Sequence, residues 1–250
     1  MKLEVARWAN GCVILAAFLV SRAEQKTNLA AGKAPEKTNS SSALNATNAP
    51  VYKFPERGAP NVRVNGGSRF ADGQQLPSLF VLAPDHVGLT IKESPTLYWY
   101  QSKAGNVQLE VTIITTNQIA PVLEMKLEEP QSAGIQKLDL TKQSVKLQTG
   151  LDYQWSVALV LDPQSRSKDI VASGGIKRIM ASPSLSSRLS GTPTERLAFI
   201  YAGEGIWYDA LEAVSEQIEE HPGNASLRQQ RTALLSQVGL QEVAAHESKQ

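Results

Sequence analysis

At 250 residues, 42% of them hydrophobic and 20% charged, the chain is long enough to bury a sizeable core as one or two domains. Its 25 lysines and arginines stand against 24 aspartates and glutamates, a net charge of +1. That balance excludes the strong positive field of a nucleic-acid or membrane-surface binder, so no nucleic-acid partner is expected.

The first 23 residues read as a secretory signal peptide. Lys2 and Arg7 precede the uncharged run GCVILAAFLV at 11–20, and Ser21-Arg22-Ala23 puts small residues where a signal peptidase reads. A mature membrane-crossing helix needs about 20 apolar residues. The run is half that length, so export without a retained span is expected, an uncleaved anchor being the alternative. Cleavage after Ala23 removes the only cysteine, Cys12, and with it Lys2, Arg7, Arg22 and Glu4, leaving 22 basic and 23 acidic side chains. An exported chain without disulfides is held by its core alone.

Residues 24–56, including EQKTNLAAGKAPEKTNSSSALNATNAP, hold few large apolar side chains and read as a disordered linker. Glycan acceptor patterns occur at Asn39 and Asn45. From 57 to 182 the hydrophobic period is two. Val107, Leu109, Val111 and Ile113 share one side of VQLEVTII, and Tyr153, Trp155, Val157, Leu159 and Leu161 share one face of DYQWSVALVLD. Further strands are expected at 79–83, 88–92, 96–101, 121–127, 134–140 and 169–180. Turn residues between them include Pro84-Asp85, Glu93-Ser94-Pro95 and Asp162-Pro163. Short strands with turns every dozen or so residues predict a mainly β domain, an immunoglobulin-like antiparallel sandwich. Gly174-Gly175 inside the last strand suggests a bulge or a close backbone approach.

Over 183–250 the period becomes helical. Thr192-Pro193-Thr194-Glu195 has the form of a capping box with proline at the first helical position. Leu197, Ile200 and Tyr201 give that helix an apolar face, ended by Gly203 and Gly205. Trp207, Leu211, Val214 and Ile218 form the stripe of a second helix, closed at His221-Pro222, and Asn224 caps a third that carries Leu227, Leu234, Leu235 and Val238 and stops at Gly239. A shift of 34 residues superposes Ile200 on Leu234, Gly205 on Gly239 and Ala210 on Ala244, the period of a tetratricopeptide repeat. Thr194, Gln217, Arg231 and Thr232 depart from that pattern. On this reading GEGIWYDAL (203–211) is a helix-turn-helix corner in which Gly205, Trp207, Tyr208 and Leu211 are structural. One and a half repeats cannot bury their own faces, so this small α-helical layer must pack on the sandwich or on another chain, with Trp155 a core anchor.

Taken in order, ERGAP (56–60), NGGSR (65–69), GLTIKESPTLYWY (88–100), the GI-x5 stretch at 134–140, LDYQWSVALVLD, RSKDIVASGGIKR (166–178) and GIWYDAL resemble the cyanobacterial domain-of-unknown-function family numbered 928 over roughly residues 56–245. The resemblance implies export and this β-then-α layout, and no particular activity. It also implies cysteines a few residues after GGSR and just before the equivalent of Asp162-Pro163, where this chain has Phe70-Ala71-Asp72 and Leu161; a bridge between them would be missing here.

Each chemical candidate has a plainer reading beside it. NGGSRF with Arg63 and Arg69 would wrap an anion, or form a glycine turn with solvated arginines. Ser68 as a nucleophile lacks a partner, because His86, His221 and His246 stand apart in the sequence. No His or Cys spacing suits a metal and no loop suits calcium, so no metal or cofactor is expected. Glu128-Glu129 and Glu219-Glu220 are adjacent and point apart, the pattern of solvated charge. Leu97-Tyr98-Trp99-Tyr100 cannot turn every ring inward from a two-sided strand. Either the Tyr98/Tyr100 pair or the Leu97/Trp99 pair faces outward, as a flat binding platform or beneath the helical layer. Two function classes follow: a non-catalytic envelope or periplasmic module that binds another envelope or surface protein, or a carbohydrate-binding or carbohydrate-active protein using strand 97–100.

Overall fold

The structure, a computed structural model, describes residues 48–54, 63–66, 70–71, 74–105, 107–127 and 132–250. The signal segment, the acceptor patterns at Asn39 and Asn45, Ser68, Arg69 and the Glu128-Glu129 pair lie outside these residues. Among the described residues there are ten strands in three sheets and five α-helices, a mixed architecture without a barrel. β1 (Phe70–Ala71) and β2 (Gln74–Gln75) form a minimal antiparallel pair. The remaining strands are β3 (Leu79–Val81), β4 (Gly88–Thr90), β5 (Thr96–Gln101), β6 (Gln108–Thr115), β7 (Leu123–Leu127), β8 (Gly134–Asp139), β9 (Asp152–Val160) and β10 (Ile170–Arg178). They build a five-stranded sheet in the order β4-β10-β9-β6-β7 and a three-stranded sheet in the order β3-β5-β8.

One pairing corrects the expectation of a purely antiparallel sandwich. β4 runs parallel to β10, with Gly88 opposite Ile176 and Thr90 opposite Arg178. The chain leaves the three-stranded sheet after β3, passes Pro84 and Asp85, and enters the other sheet beside β10 heading the same way. Alternation sets the core faces. Leu109, Val111 and Ile113 of β6 and Tyr153, Trp155, Val157 and Leu159 of β9 are buried, whereas Ile114, Asp152 and Gln154 face out. The registers of β9 against β6 and β10 run without a break across Gly174, so that glycine marks close approach and not a bulge. A Cβ on Gly174 would lie 2.7 Å from the Ala83 Cβ of the facing layer.

The helices are α1 (Pro183–Ser190), α2 (Thr194–Gly203), α3 (Trp207–Glu220), α4 (Ala225–Gln237) and α5 (Gln241–Glu247). The period count missed α1 as a separate helix. Its signal was Ser182-Pro183: the Ser182 hydroxyl accepts from Leu185 N–H at 3.2 Å and proline occupies the first turn. Because α1 ends just before it, Thr192 does not cap α2. Its hydroxyl donates back to the Arg188 carbonyl at 2.6 Å, and α2 starts from Pro193 without a side-chain cap. Asn224 does cap α4, accepting from Ser226 N–H at 3.0 Å.

The corner between α2 and α3 joins the layers. Gly205 has φ +73°, and a Cβ there would sit 2.8 Å from the Lys53 carbonyl oxygen. Directly after it, Trp207 and Tyr208 enter the sheet layer fully buried. The Trp207 indole donates to the Leu82 carbonyl at 2.8 Å. The Tyr208 hydroxyl accepts from Trp155 Nε1 and donates to the Gly175 carbonyl, both at 2.9 Å. Gly88 leaves room for this ring, since a Cβ there would meet it at 2.7 Å. Leu211, Val214 and Ile218 continue the buried stripe of α3.

The linker expectation needs correction at its C-terminal end. Residues 48–54 are strapped across the helices: Lys53 N–H donates to the Ala202 carbonyl at 2.9 Å, Tyr52 N–H donates to Gln237 Oε1 at 2.8 Å, and Gln237 Nε2 donates to the Pro50 carbonyl at 3.0 Å. Tyr52 fills the gap beneath, its ring edge-on to Trp207 at 5.1 Å. A single aromatic anchor plus backbone bonds suffices to order a segment whose composition is otherwise that of a tether.

Candidate functional site

The aromatic strand is covered on both faces, and Tyr98, Trp99 and Tyr100 are 3%, 2% and 4% exposed. Thr96, Tyr98 and Tyr100 face the helices: Thr96 donates to Glu212 Oε1 at 2.8 Å, Tyr98 has the Ser215 hydroxyl beside it, and Tyr100 lies 5.0 Å from the His246 ring. Leu97 and Trp99 therefore face the five-stranded sheet. A flat platform of exposed rings is not what strand 97–100 provides, which removes the physical support for sugar stacking there. Burial, with Glu212 and Glu219 nearby, pushes the Tyr98 phenol well above its usual range.

Arg63 is likewise engaged inside the fold. Its Nη1 donates to the Ala83 and Val238 carbonyls, both at 2.8 Å, so it ties the end of β3 to the C-terminus of α4 instead of waiting for an anion. Burial lowers its pKa, with Asp85 opposing. His86 has partners that sequence spacing did not reveal: Tyr52 OH at 2.9 Å on Nε2 and Asp85 Oδ1 at 3.1 Å on Nδ1. The Asp-His-Tyr line resembles an activated nucleophile, but burial first and Asp85 second push the Tyr52 phenol far up, so it stays protonated. Arg231, a departure from the repeat pattern, is buried and pairs with Glu247 at 2.6 Å, with Ser215 at 3.3 Å.

What remains open is a trough along β8. β8 is the edge of its sheet, with β5 on one side and no strand on the other among the described residues. Its helix-facing residues Ile135, Lys137 and Asp139 and the rim of α3 enclose two recesses of about 300 Å³ and about 410 Å³ that share Tyr98 and Lys137. The six residues of β8 make the trough roughly 17 Å long. Lys137 crosses it to Glu219, 2.5 Å and 2.7 Å from its two oxygens.

Glu212, Glu216 and Glu219 of α3 line its inner side, with Asp209 buried one turn further back on the same helix. Asp209, Glu212, Glu216 and Glu219 recur at spacings of three, four and three, a stripe beside the apolar one. Asp209, 1% exposed, accepts from Ile91 N–H at 3.3 Å through Oδ2 and has the Thr90 hydroxyl beside it, while Oδ1 makes no hydrogen bond. Burial pushes its carboxyl up to about 6, against the pull of Thr90 and Lys92. Glu212 is also buried; its Oε1 accepts from Thr96, and Lys92 Nζ forms an ion pair with its Oε2 at 3.1 Å. Burial pulls the Lys92 ammonium down, but the facing Glu212, Glu216 and Asp209 more than offset it and the net shift is up. The Glu216 carboxyl is raised by burial and by Glu212, Glu219 and Glu220, with Lys92 opposing. Attention to adjacent acidic pairs missed this wall; helical spacing would have found it.

No group of three or more His, Cys, Asp and Glu side chains suited to a metal occurs among the described residues. No described helix is long and apolar enough to cross a membrane. No curated protein matches the chain. Among solved structures, a multi-domain immunophilin from Arabidopsis thaliana aligns at 11% identity over 79% of this chain and 98% of that chain, with a TM-score of 0.17. A score that low supports no statement about fold or activity. The family described as Domain of Unknown Function (DUF928) matches residues 64–248. That span takes in every strand and helix described above, and the chain belongs to this family.

Proposed function

We propose that the chain is an exported, non-catalytic interaction module of the cell envelope or periplasm, and that the trough along β8 receives an extended segment of a partner protein. The supporting observation is the trough itself: a free strand edge beside a long recess is the arrangement used for strand addition, in which backbone bonds supply affinity and flanking recesses supply selectivity. Export is supported by the Lys2/Arg7, apolar run and Ser21-Arg22-Ala23 pattern. The ionisable groups that come close together elsewhere hold layers to one another, Arg63 on carbonyls and Arg231 on Glu247, which favours binding over catalysis.

The finer fold reading belongs with this proposal. We read the two larger sheets as an immunoglobulin-like sandwich, a reading supported by the strand orders if β10, β9, β6 and β7 are assigned to G, F, C and C′ and β3, β5 and β8 to A, B and E. Such a sandwich carries strand D next to E, and here β8 has nothing there among the described residues. The helices are read as one and a half tetratricopeptide-like repeats: α3 and α5 start 34 residues apart, at Trp207 and Gln241, and Gly205 and Gly239 both have positive φ.

A photo-reactive residue placed at Gln136, on β8, should crosslink in cells to one partner, and one placed at Gln154, on the outer face of the five-stranded sheet, should not. Adducts that are equal at both positions, or absent at Gln136, would overturn the reading. An unprocessed N-terminus in the cytoplasm would refute export.

A further inference from the structure

We propose that the partner segment adds to β8 as an antiparallel strand and carries, from its N-terminus, a neutral hydrogen-bond donor, a small side chain and a large apolar one at alternate positions. This rests on the reading of the trough as a binding surface and names the sequence chemistry of what binds. The Tyr98 carbonyl accepts from Leu82 N–H at 2.8 Å, so the main chain of Tyr98 points away from β8. Main-chain direction alternates along an antiparallel strand, which turns Leu97, Trp99 and Gln101 toward their partners Leu138, Gln136 and Gly134. Leu140 N–H, on the Pro95 carbonyl at 3.4 Å, fits the same alternation. The N–H and C=O groups of Ile135, Lys137 and Asp139 therefore point to the open edge, where no strand lies among the described residues. An antiparallel guest sets one residue squarely opposite each of these three, its side chain on the helix side.

Lys137 decides the middle position. Its side chain crosses the trough to Glu219, so the guest residue opposite Lys137 meets a bridge and must be small. Opposite Ile135 lies the larger recess. Its ions satisfy one another, Lys137 on Glu219 and Arg231 on Glu247, which leaves Tyr98, Ile135 and Ile218 to receive an apolar side chain. Opposite Asp139 lies the smaller recess, where Lys92, Lys137 and Lys142 equal Asp139, Glu212 and Glu216 in number and favour an uncharged guest. The hydroxyls of Ser94 and Thr96 in its lining already donate, to the Val145 carbonyl and to Glu212, so their remaining capacity is to accept. A guest antiparallel to β8 reaches Asp139 first, which fixes the order of the three side chains.

The test uses the isotopically labelled full chain and capped heptapeptides with threonine at the odd positions. The first, Thr-Ser-Thr-Ala-Thr-Leu-Thr, should shift the amides of Ile135, Lys137 and Asp139 and slow their hydrogen exchange, whereas those of Gln136 and Leu138 are slow with or without it. Binding should be roughly tenfold weaker with phenylalanine in place of the alanine, with the sequence reversed, and with N-methylation of the serine, alanine and leucine. Lys137→Ala, its folding checked by unchanged amide dispersion, should recover the loss for the phenylalanine peptide. If any variant peptide binds the unmodified chain as well as the first, the motif is overturned and the trough stands. No shift along β8 or α3 with any peptide would overturn both.

Discussion

Replacing Asp209 with asparagine should stabilise the protein at neutral pH and change it little near pH 4. The carboxyl is 1% exposed and titrates at about 6 instead of 3.8, chiefly because burial penalises its charge. The folded state therefore binds this proton more tightly than the unfolded state does. The corresponding stability is fully present below about pH 3.8 and is lost as pH rises through about 6. Two pKa units at about 1.36 kcal/mol each put the loss at about 3 kcal/mol, with no screening discount for so buried a group. Asparagine keeps an acceptor for Ile91 N–H and carries no charge to desolvate, so it mimics the protonated acid. Urea unfolding of both proteins across about pH 4 to 7.5 measures the difference, in which depressed carboxylates such as Glu110 and Asp162 cancel because both proteins share them. The advantage of the variant should grow with pH toward about 3 kcal/mol. A difference that stays flat with pH, or that grows toward acid, would refute the claim that burial governs Asp209.

Two further changes probe the joint between layers. Tyr208→Phe removes the hydroxyl between Trp155 Nε1 and the Gly175 carbonyl and leaves two buried groups unpaired, at a cost of about 2 kcal/mol in unfolding free energy. An effect below about 0.5 kcal/mol would mean that water replaces it. Gly205→Ala forces a side chain into a backbone with φ +73° and against the Lys53 carbonyl, so it should cost about 1–2 kcal/mol and speed protease cleavage within 48–54, a change that limited proteolysis would detect.

Much of the fold was legible because the periods were clean. β5 forms over the expected residues, and β6 and β9 bury the faces their alternation marked. The α3 stripe packs as its spacing required. The parallel pairing of β4 was not legible, since the direction of a three-residue strand is set by the path of the chain between sheets and leaves no periodic trace. Neither was the strap at 48–54: its composition is that of a linker, and only Tyr52 announces a buried anchor. The candidate site was the least legible part. It depends on where α3 stops covering the three-stranded sheet, and the aromatic strand that drew attention from the sequence is the floor beneath that helix.

The hydroxyl of Tyr208 has an implication for modularity. Because it satisfies the indole of Trp155 from across the layer boundary, a fragment ending before Pro183 would leave that indole orphaned and the pocket beside Gly88 vacant. The sheets and the helices should then melt in one transition, and recombination that separated them would yield two insoluble halves instead of two usable parts.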